Sequence, residues 1–393
     1  MDVLEAGDAA DVLLPLMLRD TCCSAVYRIL GRIFRISGNT PEVLDRFALL
    51  YRPLEVPDYA GPVDEHIYFR VKSGPDGCVL TVAGCGGALT ASHEDFLQWP
   101  SVLFNRILLG SVRTHLILHA GAVSRAGQGL VISGNSGMGK STLVSHLVRR
   151  GFGFLSDEVA PIERGTAYVE PFPLCVGLRP GPGQSLLGDA SAVDVAFRGD
   201  EKKLVDMARL PGAHVSERVP LKAVVLLSSR VQGPVTTARK LDGPVSLVFS
   251  DWSPELEAAL AAVPGATVVE TRPWREFTEV LVQVANLHDI AQPAKDLAVR
   301  HGARLVQMLY EDFGERDFDV EPVIAPVAPA SALIELVKRM WPYYRAALIR
   351  DAYGGVAARL VDELSVLMKG VSFYRLTPGR LDRALDFLEG VMP

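Results

Sequence analysis

Gly134-Asn135-Ser136-Gly137-Met138-Gly139-Lys140-Ser141 fits the pattern G-x-x-x-x-G-K-[S/T] at every position. Its flanks fit too: GLVIS (residues 129–133) is apolar and strand-like, while TLVSHLVRR (142–150) has helical spacing and is stopped by Gly151. Glycines let successive backbone N–H groups turn inward around phosphate oxygens, at the positive end of the helix that follows. Lys140 is then expected at the β- and γ-phosphates, and the Ser141 hydroxyl on Mg²⁺. Residues Gly134 to Thr142 are accordingly read as the cradle of a nucleoside triphosphate, ATP or alternatively GTP, bound with Mg²⁺.

Working outward, FGFLS (152–156) reads as the next strand and delivers Asp157 and Glu158 to the sheet end where the P-loop sits. A metal-bound triphosphate needs a carboxylate for the metal, and a hydroxyl acceptor needs a base, so two adjacent acids can divide those roles. The plainer alternative is an acidic strand end facing water. His119 ends the apolar run LIL, fifteen residues before Gly134. On residue type alone a histidine there fits either a structural or a catalytic role.

From His115 onward strands and helices alternate (LILHAGAVS, GLVISG, STLVSHLVRRG, FGFLSDEVAPI, LKAVVLLSS), which predicts a sheet with parallel members and helices packed on it. Three segments are expected: a small α/β leader domain over 1–109, a P-loop catalytic domain over 110–290, and a mainly helical unit over 291–393. In the leader, HIYFRVKS and CVLTVAG flank the turn formers GPDG and predict a hairpin; His93 to Thr114 reads as helical, with Pro100 interrupting it. Leu178 to Pro220, with PGPG and RGDEKK, reads as a loop or lid. AKDLAVRHGARLVQMLYEDF (294–313) and ALIELVKRMWPYYRAALIRD (332–351) read as helical, separated by the Pro-rich EPVIAPVAPAS, and GRLDRALDFLEGVM (379–392) as a short amphipathic helix.

Composition narrows the setting. Of 393 residues 49% are hydrophobic and 22% charged, which excludes a disordered chain and supplies a sizeable core. The net charge of −6 and scattered basic residues argue against nucleic acid as a partner. Five cysteines without a C-x-x-C pair suggest neither a disulfide framework nor a zinc ribbon. The first residues are acidic where a signal peptide is basic, and no run approaches the ~18 apolar residues of a membrane span. A cytoplasmic protein with no membrane partner is expected.

His119-Ala-Gly-Ala-Val, GNSGMGKS and FGFLSDE together resemble the catalytic core of the HPr kinase family, whose fold is related to that of ATP-dependent phosphoenolpyruvate carboxykinases. The resemblance spans roughly residues 110–290 and implies an α/β P-loop core of that type, between a small N-terminal α/β domain and a C-terminal helical unit. By position it implies phosphate and metal roles for Lys140 and Ser141. Asp157 falls on the carboxylate that accepts the proton of a target serine, and Glu158 where a second aspartate helps to hold Mg²⁺ or the base. His119 enters the active site, and Arg179, after Pro171-Phe172-Pro173, faces phosphate or substrate. A homo-oligomer is also implied. Thr142 stands where HPr kinases carry Glu, and the glycine-rich signature expected after the acidic pair is missing. The KSTL and SDE forms are closer to the HPr-kinase-like proteins of ribosomally synthesised modified peptides, lasso peptides among them.

The expectation is therefore an ATP-dependent kinase that phosphorylates a serine of a precursor peptide or protein. The alternatives are a small-metabolite kinase or carboxykinase-like phosphotransferase, and a nucleotide-sensing scaffold without transfer.

Overall fold

The computed structural model describes residues 19–74, 77–85, 87–92, 100–134, 138–178, 193–197, 200–228, 245–274, 277–284, 288–309, 321–377 and 379–392. The fold is mixed α/β. It opens with β1 (Cys23–Ile29), β2 (Arg32–Gly38), α1 (Pro41–Tyr51), β3 (Glu65–Gly74), β4 (Gly77–Gly84) and β5 (Gly87–Ser92), the strands forming one sheet in the order β1-β2-β3-β4-β5. Leu30 and Gly31, both at positive φ, make the two-residue turn between β1 and β2. The expected hairpin over 66–84 is β3 paired with β4, in register up to Gly74↔Gly77. Helix α1 buries Val43, Leu44, Phe47 and Tyr51, one stripe of a 3.6-residue period. Its Phe47 ring stacks on Tyr51 at 4.0 Å and takes the edge of Tyr27 at 4.9 Å. Of the helix expected over His93 to Thr114, the described part is α2 (Pro100–Gly110), and the stretch before Pro100 lies outside the described residues.

The central sheet is built from β6 (His115–Leu118), β7 (Ala120–Arg125), β8 (Gln128–Ser133), then after α3 (Lys140–Arg149) from β9 (Gly153–Ser156), β10 (Ala160–Glu163) and β11 (Tyr168–Val169). A small sheet follows, of β12 (Val176–Leu178), β13 (Val193–Phe197) and β14 (Asp200–Val205), after which β15 (Val219–Leu227) returns to the centre. The stretch expected as a loop from Leu178 to Pro220 thus carries two strands among its described residues. Charged DEKKLV pairs with VDVAF and with VGL, its backbone groups satisfied by the ladder. The central order is β6-β10-β11-β15-β8-β7-β9. Leu130 and Ile132 of β8 pack with α3 while Val131 faces the opposite cluster, the period-two alternation of a strand covered on both faces.

Between β15 and its return to the sheet the chain forms β16 (Val245–Ser250), α4 (Pro254–Ala261), β17 (Ala266–Trp274), β18 (Phe277–Val284), α5 (His288–Arg300) and β19 (Arg304–Leu309), with sheet order β17-β18-β16-β19 and all pairings antiparallel. This is a βαββαβ unit of the ferredoxin-like arrangement, with its own core of Leu247, Phe249, Leu256, Leu260, Val282 and Ile290 among others. The helix expected over 294–313 ends at Arg300, because Gly302 (φ 71) turns the chain, and Arg304–Leu309 pairs with β16 instead. Residue 290, where the sequence reading divides core from helical segment, lies inside α5.

The chain then contributes β20 (Ile324–Pro326), α6 (Pro329–Arg339), α7 (Pro342–Tyr353), α8 (Ala357–Leu367), β21 (Ser372–Leu376) and α9 (Leu381–Val391). β21 lies parallel to β15, and β20 pairs with β21, so part of the expected Pro-rich linker is an edge strand of the central sheet. The single helix expected over 332–351 breaks at Trp341-Pro342, since Pro342 can start a helix but not continue one. Among the described residues no helix is long and apolar enough to cross a membrane, and Cys22, Cys23, Cys85 and Cys175 are free thiols.

Candidate phosphoryl-transfer site

LILHAGAVS forms two strands, and FGFLS, ending at Ser156 as its sequence reads, is followed after Asp157 and Glu158 by a second strand, Ala160–Glu163. Residues 115–125 and 153–163 form a two-stranded antiparallel ribbon that bends in the middle. Before the bend Leu118 pairs with Ala160, and beyond it Ala122 pairs with Ser156. His119 on one strand therefore stands across from Asp157, Glu158 and Val159 on the other. That register brings together side chains about 40 positions apart in the chain, and His119 Nε2 lies 2.8 Å from Glu158 Oε2.

The turn at the bend sorts the two acids. Ser156 Oγ donates to the Val159 carbonyl and accepts from the Val159 N–H, pinching the chain over residues 156–159. Asp157 is turned inward and is 1% exposed, while the Glu158 side chain faces solvent at 50%. Inward of the turn, Ser141 Oγ donates to Asp157 Oδ2 at 2.8 Å. The hydroxyl expected on Mg²⁺ thus already meets a carboxylate.

Glycines make this approach possible. A Cβ on Gly121, in the HAGAV stretch, would stand 2.5 Å from Val144 of α3, so only glycine lets that helix settle on β7 beside the bend. A Cβ on Gly134 would stand 2.8 Å from Leu227 Cβ at the end of β15. Gly139 enters α3 at φ 90, a left-handed conformation that side chains resist. Lys140 is buried at 6% exposure and donates from Nζ to the Gly134 carbonyl at 2.9 Å, so its ammonium is held across the mouth of the loop. Met138 is buried against the α3 cluster and Thr142 lies on the first turn, half-buried. Asn135, Ser136, Gly137 and Arg179 lie outside the described residues.

The donor set suits Mg²⁺, a hard cation held by oxygens and commonly by one or two carboxylates together with substrate phosphates. Ser141 and Asp157 supply a hydroxyl and a buried carboxylate under the amino terminus of α3. Among the described residues no cluster of three His, Cys, Asp or Glu side chains forms a protein-only metal cage.

Trp341, with Tyr343, Tyr344, Leu348, Arg345 and Arg350, reads from the sequence as core packing or as a wall of an acceptor cleft, with no connection to His119. The Trp341 ring stacks on the imidazole with centroids 5.7 Å apart and planes 27° apart, and the His119 N–H donates to the Arg339 carbonyl at 3.1 Å. Tyr344 and Leu348 are fully buried, and Tyr344 donates its hydroxyl to the His115 carbonyl. Arg345 donates to the Val337 carbonyl at 2.9 Å and Arg350 pairs with Asp351 at 2.6 Å. The Trp-Pro break between two helical patterns is the signal that could have set Trp341 apart from the rest of that stretch.

No family model and no curated protein matches the chain. A solved HPr(Ser) kinase/phosphatase from Coxiella burnetii is similar over 47% of this chain and 90% of its own, at 14% identity and a TM-score of 0.21. At that score the likeness carries no structural argument, and the site rests on its own geometry.

Proposed function

We propose that the protein is a nucleotide-dependent phosphotransferase that moves the γ-phosphoryl group of ATP, with Mg²⁺, to a hydroxyl group, a serine of a precursor peptide or protein being the acceptor class that the sequence resemblance favours. The observation that carries this reading is the Ser141–Asp157 hydrogen bond beneath the P-loop helix. It joins the two oxygen donors that a triphosphate-bound Mg²⁺ needs, at the position the motif assigns to the metal.

In this reading Lys140 neutralises charge on the β- and γ-phosphates, and the metal, when bound, supplies further neutralisation of the transferred group. Ser141 and Asp157 would hold that metal. With Asp157 engaged there, the base falls to its neighbour: Glu158 is open to solvent, where an acceptor can reach it, and His119 fixes the carboxylate from the other side. The acceptor oxygen forms the new P–O bond, the bond to the β–γ bridging oxygen breaks, the hydroxyl proton passes to Glu158, and ADP leaves. A three-part chain, with an HPr-kinase-like core over 110–290 between a leader domain and a C-terminal unit, belongs to the same proposal.

Equilibrium binding of a fluorescent ATP analogue with and without Mg²⁺ tests the site. Lys140→Ala is expected to weaken binding about 100-fold, since the phosphates lose a buried cationic partner, and Asp157→Asn to abolish the Mg²⁺ dependence. Wild-type affinity in Lys140→Ala would refute the nucleotide site.

A further inference from the structure

Three contacts tie one short stretch of the carboxy-terminal segment to the strand that carries His119. The Arg339 carbonyl accepts from the His119 N–H at 3.1 Å, the Trp341 ring lies on the imidazole at 5.7 Å, and the Tyr344 hydroxyl donates to the His115 carbonyl. All three come from the corner where α6 gives way to α7, a corner set by Pro342. Tyr344 is fully buried and anchors the corner at the start of β6; Trp341 is only half-buried and sits at the strand's end. A packing role alone does not need an aromatic ring stacked, at 27° between planes, on an imidazole whose edge nitrogen meets a carboxylate at 2.8 Å.

Resting on the phosphotransferase reading, we infer that Trp341 is a positioning residue: its ring fixes the plane of His119 so that Nε2 stays on Glu158, and the α6–α7 corner thereby completes the proton-accepting side of the site. Stacking of two flat rings removes rotation about the imidazole's outer torsion, which leaves the Glu158 carboxylate with one orientation toward an incoming hydroxyl. The ribbon bend brings histidine and carboxylate together, and the corner holds them in one geometry. Residues far outside the P-loop segment are thus part of the catalytic constellation, while nucleotide binding does not depend on them.

The test compares the full-length chain with Trp341→Ala and Trp341→Phe in three measurements: the affinity for MgATP, the rate of γ-phosphate release from MgATP with water as acceptor, and the proton resonance of the His119 ring carbon in a ¹³C-edited spectrum. Trp341→Ala is expected to lower kcat roughly 10- to 100-fold, the scale of a misplaced catalytic group, while the MgATP affinity stays within about twofold because the P-loop is untouched. Trp341→Phe is expected to restore most of the rate. The His119 resonance should move in the alanine variant, as the ring current of the indole is lost, and move part of the way back with phenylalanine. A folded Trp341→Ala with wild-type kcat, or an unmoved His119 resonance, would overturn the inference. So would a Phe variant no better than Ala. Should the alanine variant not fold, the phenylalanine variant and the wild-type resonance, assigned by its absence in His119→Ala, decide in the same way. The spectral measurement needs no turnover, so it separates failure of the positioning role from failure of the phosphotransferase reading: MgATP that neither binds nor turns over sinks the latter and leaves the resonance to judge the former.

Discussion

The central sheet and the inserted βαββαβ unit bury polar side chains in opposite ways. In the unit, Glu279 on β18 is 1% exposed and is closed off by its neighbours: Ser246 donates to one oxygen and Arg272 Nε to the other at 2.8 Å. In the central sheet Asp157 is equally buried, but it sits one residue from an exposed glutamate and accepts from Ser141 in the first turn of α3. A buried carboxylate with an arginine across a ladder is a structural pair; one held by a hydroxyl at the start of a helix is, in the proposed reading, placed for a ligand. Burial alone does not distinguish site from scaffold. What the partners are does.

The sharpest way to break this contrast is to neutralise one acid on each side. Glu158→Gln is expected to cut the transfer rate by about 10²–10⁴ with MgATP affinity nearly unchanged, as for loss of a general base. Steady-state kinetics beside equilibrium binding would check it. Glu279→Ala should act the other way, destabilising the fold by about 1–3 kcal/mol because Ser246 and Arg272 lose the buried carboxylate they meet, while turnover per folded molecule stays at the wild-type value. Thermal unfolding and active-site titration separate the two effects.

A smaller effect probes how the helix reaches the sheet. Gly121→Ala is expected to cost about 1–3 kcal/mol by overpacking against Val144 and to weaken nucleotide binding as α3 is pushed off β7. Val144→Ala in the same chain should recover much of both, since it removes the methyl group that a Cβ on Gly121 would strike at 2.5 Å. A double-mutant cycle of unfolding free energies measures this coupling.

These contrasts also explain what was legible in the sequence. The elements flanking the G-x-x-x-x-G-K-S motif could be read because their patterns are local: an apolar run before it is β8 and a helical spacing after it is α3. The bent ribbon could not, because LILHAGAVS looks the same whether it runs straight or folds at His119, and only pairing with residues 153–163 determines the bend. The inserted unit was missed for a similar reason. RLVQML (304–309) carries an apolar spacing that serves a helix or a strand equally, and pairing with β16 settled it as a strand. Leu178 to Pro220 read as a loop from its glycine, proline and charge, yet DEKKLV is held as a strand by its partners. Local patterns were visible, whereas long-range pairing was not.

The smallest expected effect concerns the clamp between the carboxy-terminal helices and the core. Arg164 meets both oxygens of Glu363 at 2.8 Å each, and Tyr353 donates to the same carboxylate. The guanidinium hydrogen bond first, and the tyrosine hydroxyl after it, hold the Glu363 carboxyl below its ordinary value of 4.5. A depressed carboxyl adds stability above its unfolded value and loses it as pH falls through the folded one. Glu363→Gln should therefore lower stability at pH 7 by only about 1 kcal/mol, the pair being partly exposed. Scans of Tm against pH should show the gap from wild type closing as the pH drops below about 4.5.

The most direct measurement is transfer itself: the protein incubated with γ-³²P-labelled ATP and Mg²⁺ and the serine-containing peptides encoded beside its gene, next to Lys140→Ala and Glu158→Gln. The account predicts label on a serine hydroxyl with the wild-type chain only when Mg²⁺ is present, at least about 100-fold less with either variant. Label transferred equally well by Lys140→Ala, or label that stays on ATP in every mixture while ATP binds tightly, would contradict it.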